Sequence, residues 1–429
     1  MKNTLFLFIA AIVLILTPAY NNQGFHTSRL EMNQSLRVDF ILSGNSSNQE
    51  VSLFRLCRDQ GWYGSPQQLI SPFNYGEYRY FLIHARSGDT LYSKGFSTLF
   101  EEWRTTNEAK YKTRAFQQTL VMPFPRENSR IVIEGRKRDG AFTLLLDETI
   151  NPKQIDLNKP ARTNQVIKIL HGDDLPAHRA DLLIIAEGYS MNELDLFETE
   201  ARKLTKALLN TEPYKSLQNH ITIRSLGIPS PQSGVTDPLS GKWIDTYFKS
   251  RFNTFDTDRY LQTMETWKVY ETAALAPYDH IIILVNSKKY GGGGIYNHFT
   301  ILTSRNSQSA DLLLHELGHG LAGLGDEYYN SEVAYDEFFN TDIEPWQPNL
   351  TTLVDFDRKW KSLIKPSIPV PTPEKPQYEY ETGAFEGGGY VAKKVYRPAI
   401  NCKMKSLDAD NFCQVCSLSI ANVIKFYTY

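Results

Sequence analysis

His315, Glu316 and His319 stand in one short string, His315-Glu316-Leu317-Gly318-His319. On a helix, residues four apart share a face, so both imidazoles can bind one divalent metal ion. Glu316 lies beside them, placed to take a proton from a water activated by that ion. A catalytic metal of the zinc type commonly takes three protein ligands and keeps one position open, so a further ligand is expected. Asp326 is the best placed. Gly323 can turn the chain sharply after the helix and return a residue three positions later to the metal. Glu327 is the neighbouring alternative, and His298 is a more distant candidate that also reads as a satisfied strand histidine.

A helix must carry this string. Ser309-Ala310-Asp311 reads as its capped start, and Leu314, Leu317 and Leu321 repeat at helical spacing to give it a buried side. Upstream, residues 181–188 and 280–285 read as buried strands, and residues 192–209 as an amphipathic helix after a capping Ser190. Tyr290-Gly291-Gly292-Gly293-Gly294 follows the second strand as a glycine-rich turn and flexible rim, with another strand ahead of the histidine helix. That run lacks the Gly-Lys-Ser/Thr ending of a phosphate-binding loop. Pro366 to Pro376 marks a surface loop, and residues 411–427 a closing helix. The character from about residue 161 is mixed α/β.

Residues 25 to about 158 differ. Residues 36–42, 51–56, 130–135 and 142–146 are short apolar-rich runs, with turn chemistry at Asp139-Gly140, and predict a small antiparallel sandwich. Its aromatics, among them Trp62, Tyr63, Tyr78, Tyr80 and Phe81, suit core packing or a binding face for glycan or protein.

With 41% apolar residues and a formal net charge of -2, the 429-residue chain is globular, and it has no electrostatic footprint for nucleic acid. Lys2, an apolar run from Leu5 to Leu16 and Thr17-Pro18-Ala19 have the layout of a signal peptide over residues 1–20. A secreted or periplasmic mature chain without a membrane span is therefore expected. Of four cysteines, Cys57 stands alone while Cys402, Cys413 and Cys416 cluster. In an oxidising compartment a disulfide from Cys402 to Cys413 or Cys416 is the first expectation. A structural zinc site is the second, lacking an obvious fourth ligand.

The string from His315 to Tyr328 resembles the metzincin metallopeptidases, whose motif is His-Glu-x-x-His-x-x-Gly-x-x-His/Asp followed by a methionine turn. Gly323 and Asp326 each fall one residue later than that pattern. With Asp326-Glu327-Tyr328 closing the string, this is similar to the igalysin branch, the family of an immunoglobulin A peptidase. Ala399-Ile400-Asn401-Cys402-Lys403-Met404 resembles the methionine turn, with Met404 packed beneath the metal. The resemblance implies a metzincin-like catalytic domain over 161–429, with a twisted mixed sheet, an active-site helix and a horizontal cleft. It also implies an edge strand near residues 294–303 that pairs with an extended peptide. The implied activity is that of a zinc endopeptidase holding one catalytic ion on His315, His319 and Asp326, with Glu316 as general base. Another branch, the archaemetzincins, holds a second zinc on four cysteines, one directly after the third catalytic ligand. Glu327 stands there in this chain, which favours the disulfide. An inactive binding protein and a zinc hydrolase of non-peptide substrates are the rival readings.

Overall fold

The computed structural model describes residues 27–158, 165–173, 178–329 and 340–428, and the expected signal peptide lies outside them. The first seven strands are β1 (Leu30–Gly44), β2 (Gln49–Gln60), β3 (Tyr78–His84), β4 (Thr90–Phe96), β5 (Arg114–Pro125), β6 (Ser129–Arg136) and β7 (Phe142–Ile150). They form two antiparallel sheets, ordered β2-β1-β5 and β4-β3-β6-β7. Alternation drives the packing: Tyr78, Tyr80 and Leu82 on β3 point inward and meet Leu36, Val38 and Phe40 of β1 in one core. Helix α1 (Leu99–Arg104), capped by the Thr98 hydroxyl, adds Phe100 and Trp103 to that core. Tyr78 and Tyr80 are buried and thus serve packing.

The second part is built on β8 (Val166–His171), β9 (Ala180–Glu187), β10 (Ile221–Gly227), β11 (His280–Val285), β12 (Gly292–Gly294) and β13 (Thr300–Thr303), in the order β12-β13-β11-β9-β10-β8. The four central strands are parallel; β8 and β12 are antiparallel at the two edges. Continuous apolar runs are what a parallel strand covered on both faces requires, and β9 shows why. Leu182, Ile184 and Ala186 face α2 (Leu194–Leu209), while Leu183 and Ile185 face α3 (Thr266–Ala273). Ser190 and Glu193 form a capping box on a single 3-10 turn before α2.

Helix α4 (Ser309–Ala322) lies against β12 and β13, and α5 (Gln414–Thr428) packs beside it. Gly318 and Gly320 each weaken α4 by about 1 kcal/mol relative to alanine. Burial of Leu312, Leu313, Leu317 and Leu321 contributes roughly 1.5–3 kcal/mol each, so tertiary packing holds this helix. Ser309 is its first helical residue; the hydroxyl accepts from the Asn306 backbone and does not cap the helix.

Two expectations change. The glycine run is no turn: Gly292–Gly294 is itself the edge strand, antiparallel to β13, so the edge lies upstream of residues 294–303. Part of that edge is taken, since Tyr260 bridges to Gly292. A hairpin of β14 (Phe385–Gly388) and β15 (Val391–Arg397) was also not anticipated.

The sandwich docks on α3 and on the loop between β12 and β13. Trp267 Nε1 donates to the Gln118 carbonyl at 3.0 Å and Asn297 Nδ2 to the Gly95 carbonyl at 2.7 Å. Among the described residues no helix is long and apolar enough to cross a membrane.

Candidate metal centre and its cleft

Helix α4 ends at Gly323, which adopts φ 64°, and Leu324 N donates back to the Gly318 carbonyl at 3.1 Å. This six-residue closure is the Schellman end that a left-handed glycine permits. It reverses the chain and brings Asp326 back over the helix. Asp326 Oδ1 sits 3.1 Å from His315 Nε2 and 3.3 Å from His319 Nε2, and the two Nε2 atoms are 3.1 Å apart. Three ligand atoms 2.0–2.1 Å from a tetrahedral ion would be about 3.3–3.4 Å apart, so the spacing fits zinc.

Protonation gives an independent test of fit. His315 Nδ1 lies 3.0 Å from the Lys403 carbonyl and His319 Nδ1 2.6 Å from the Leu324 carbonyl. A carbonyl only accepts, so each Nδ1 carries the hydrogen and each Nε2 turns inward. Asp326 Oδ1 is buried and makes no well-formed hydrogen bond. Burial disfavours a charged His319, yet the Asp326 carboxylate lifts it to about 9. Burial also opposes ionisation of Asp326, but the two histidines hold its carboxyl below the usual range. A proton on His319 satisfies Asp326 and leaves His315 unserved. One divalent ion satisfies all three, whose ligand atoms lie within 4.8 Å of one another.

Met404 is fully buried beneath α4, and a Cβ on Gly318 would stand only 2.6 Å from its Sδ. The methionine segment also supports the ligands directly. Its Lys403 carbonyl orients His315, and its Met404 carbonyl accepts from Glu327 N at 2.9 Å. Lys403 Nζ in turn donates to Asp311 Oδ1 at 2.8 Å, which ties the segment to α4.

Glu316 opens into a cleft of about 1570 Å³ that His315, His319 and Asp326 also line. Burial raises its pKa above the ordinary carboxylate value, against the pull of both histidines. Glu102 and Tyr260 hydrogen-bond across the cleft between the sandwich and the mixed sheet, and burial pushes Glu102 up to about 8.

The other candidates go elsewhere. Glu327 points away from the histidines and gathers with Cys402, Cys413 and Cys416. His298 stacks on Phe299 with ring centroids 4.1 Å apart, away from the cleft, and burial drives it down to about 3. The expected disulfide is absent, because all four cysteines are free: the three clustered thiols surround a carboxylate and do not form a pair.

Several site residues were missed from sequence. Tyr390, on the turn between β14 and β15, hydrogen-bonds Asp326 Oδ2 and adopts φ 65°, a strained value for tyrosine. The Asp326 carbonyl accepts from Gly389 N at 2.7 Å, so this turn fixes the carboxylate from the far side. Arg259, Tyr290 and Tyr328 complete the wall near Glu316. The signal was a second glycine run, Gly387-Gly388-Gly389, ending in a tyrosine much as the first run begins with one.

A helix presenting two inward imidazoles, a returning carboxylate and an adjacent glutamate in an open cleft defines the class of metal-dependent hydrolases. Residues 168–382 and 374–424 match the family described as IgA Peptidase M64, and residues 26–146 match the model for the Peptidase M64 N-terminus. The chain belongs to the IgA Peptidase M64 family and is a metallopeptidase. No curated protein is significantly similar to it.

Proposed function

We propose that the protein is a secreted or periplasmic zinc endopeptidase of metzincin type, acting through His315, Glu316, His319 and Asp326. The observation that carries this reading is the convergence of His315 Nε2, His319 Nε2 and Asp326 Oδ1 within 3.3 Å beside a glutamate facing an open cleft. His315, His319 and Asp326 would hold the ion, and Met404 would pack beneath them without entering the chemistry. Zinc in such a site supplies Lewis-acid polarisation of the scissile carbonyl and eases deprotonation of water. Glu316 accepts the proton of the attacking water and delivers it to the leaving amine. Its raised pKa suits both roles, since a base poised nearer neutrality can also release the proton as an acid.

An extended peptide lies along the cleft, and pairing to the sheet edge is limited to the Gly294 end of β12, because Tyr260 occupies Gly292. The apolar leader in the sequence supports export.

The test is incubation of the purified chain with an unfolded protein, with and without a chelator. Cleavage that stops with chelator and returns with zinc is expected. Chelator-insensitive cleavage, or none from a folded, zinc-loaded chain, contradicts the reading.

A further inference from the structure

Directly after Asp326, Glu327 turns to the opposite side and enters a sulfur pocket in which Cys413 alone is partly exposed. Glu327 is fully buried, together with Cys402 and Cys416. One ligand atom from each of Glu327, Cys402, Cys413 and Cys416 lies within 4.8 Å of the others. Glu327 Oε1 accepts from Asn349 Nδ2 at 2.9 Å and from the Cys416 thiol at 3.1 Å, whereas Oε2 is buried without a hydrogen bond. A thiol is a weak donor, and a buried carboxylate with an oxygen left over is costly unless a cation compensates it.

Two of the sulfurs also face backbone donors. Cys413 N donates to Cys402 Sγ at 3.3 Å, and Cys416 N to Cys413 Sγ at 3.5 Å across the start of α5. Backbone N–H groups aimed at sulfur favour the thiolate, which is the metal-binding form. A disulfide between any two of these cysteines would leave the third thiol and Glu327 without a cationic partner.

We propose that Glu327, Cys402, Cys413 and Cys416 form a second, structural metal site, closed by four protein ligands and suited to zinc. Three soft thiolates and one carboxylate match that ion, and a four-ligand shell leaves no position for substrate. None of the four lines the cleft. Binding releases thiol protons to solvent and fastens three separate segments: the segment after α4 that carries Asp326, the methionine turn carrying Met404, and helix α5. Glu327 N already donates to the Met404 carbonyl, so the second ion sets the stage on which Asp326 meets the histidines.

The full chain, prepared with zinc, is expected to contain two equivalents, with native alkylation of Cys402, Cys413 and Cys416 blocked until a strong chelator is added. The His315→Ala/His319→Ala variant is expected to keep one equivalent, with sulfur neighbours at about 2.3 Å in its zinc X-ray absorption spectrum. That variant removes the hydrolytic centre, so its result is independent of the peptidase assignment. Cys413→Ser/Cys416→Ser should lose the sulfur-bound ion; if it does not fold, the count and alkylation pattern of the unmodified chain still decide. A single equivalent that vanishes in the histidine variant, or an intact mass two hydrogens lower from a disulfide among these cysteines, overturns the proposal.

Discussion

Asp326 and Glu327 are adjacent carboxylates with opposite surroundings. Asp326 faces two imidazoles at the floor of an open cleft, with a tyrosine hydroxyl on its second oxygen. Glu327 faces three thiols in a pocket closed by α5 and the methionine turn. The difference lies in what each shell leaves open. Two histidines and an aspartate leave room for water and substrate, whereas three cysteines and a glutamate fill every position. On the proposed assignments, a single peptide step separates a site for chemistry from one for holding.

Exchanging the two carboxylates' fates is the strongest way to break this contrast. Asp326→Ala is expected to lower peptide hydrolysis by at least ~10³-fold, since several kcal/mol of transition-state stabilisation would depend on the ion we propose it holds. Glu327→Gln leaves the histidine site's ligands in place and is expected to cost about 10-fold, as outer supports do. Equal losses in kcat/KM would erase the distinction. Tyr390→Phe tests the support on the Asp326 side alone: a 10–100-fold weaker catalytic metal affinity is expected in a chelator competition, with unchanged thiol protection.

The open wall can be disturbed without touching a ligand. A Cβ on Gly294 would lie 2.1 Å from the Glu316 carbonyl oxygen, so Gly294→Ala must push β12 off α4. About 1–3 kcal/mol of destabilisation is expected in urea unfolding, and no change in midpoint would mean the strand is not pressed on the helix. The smallest effect concerns pH. Glu102 is raised from 4.5 to about 8 by burial, so the folded chain retains a proton that the unfolded chain has released. Stability from this group is full below pH 4.5 and is lost as pH rises through about 8. Glu102→Gln should remove that slope and melt roughly 2–4 °C higher at the alkaline end, the effect of about 1 kcal/mol in a domain of this size. Parallel pH profiles for the two proteins would refute it.

The hydrolytic half of the contrast was legible in sequence because its information is local. His315, Glu316, His319, Gly323 and Asp326 lie within one helix and its end, where spacing and a left-handed glycine decide direction. The buried strands 181–188 and 280–285 and the sandwich strands β1, β2, β6 and β7 were legible for the same reason, whereas β3, β4 and β5 were not anticipated. The sulfur half was not. Glu327 meets Cys416 across 89 residues, and no periodicity records that meeting, so reasoning from compartment pointed to a disulfide. Tyr390 escaped because its hairpin is short and glycine-rich, with little apolar alternation to reveal it.

The most direct test of the hydrolytic assignment is the Glu316→Gln protein loaded with zinc. Metal content equal to that of the unmodified chain, with cleavage of an unfolded protein reduced ~10²–10⁴-fold, is the expected result. Cleavage at the original rate by that folded, zinc-loaded variant would contradict it.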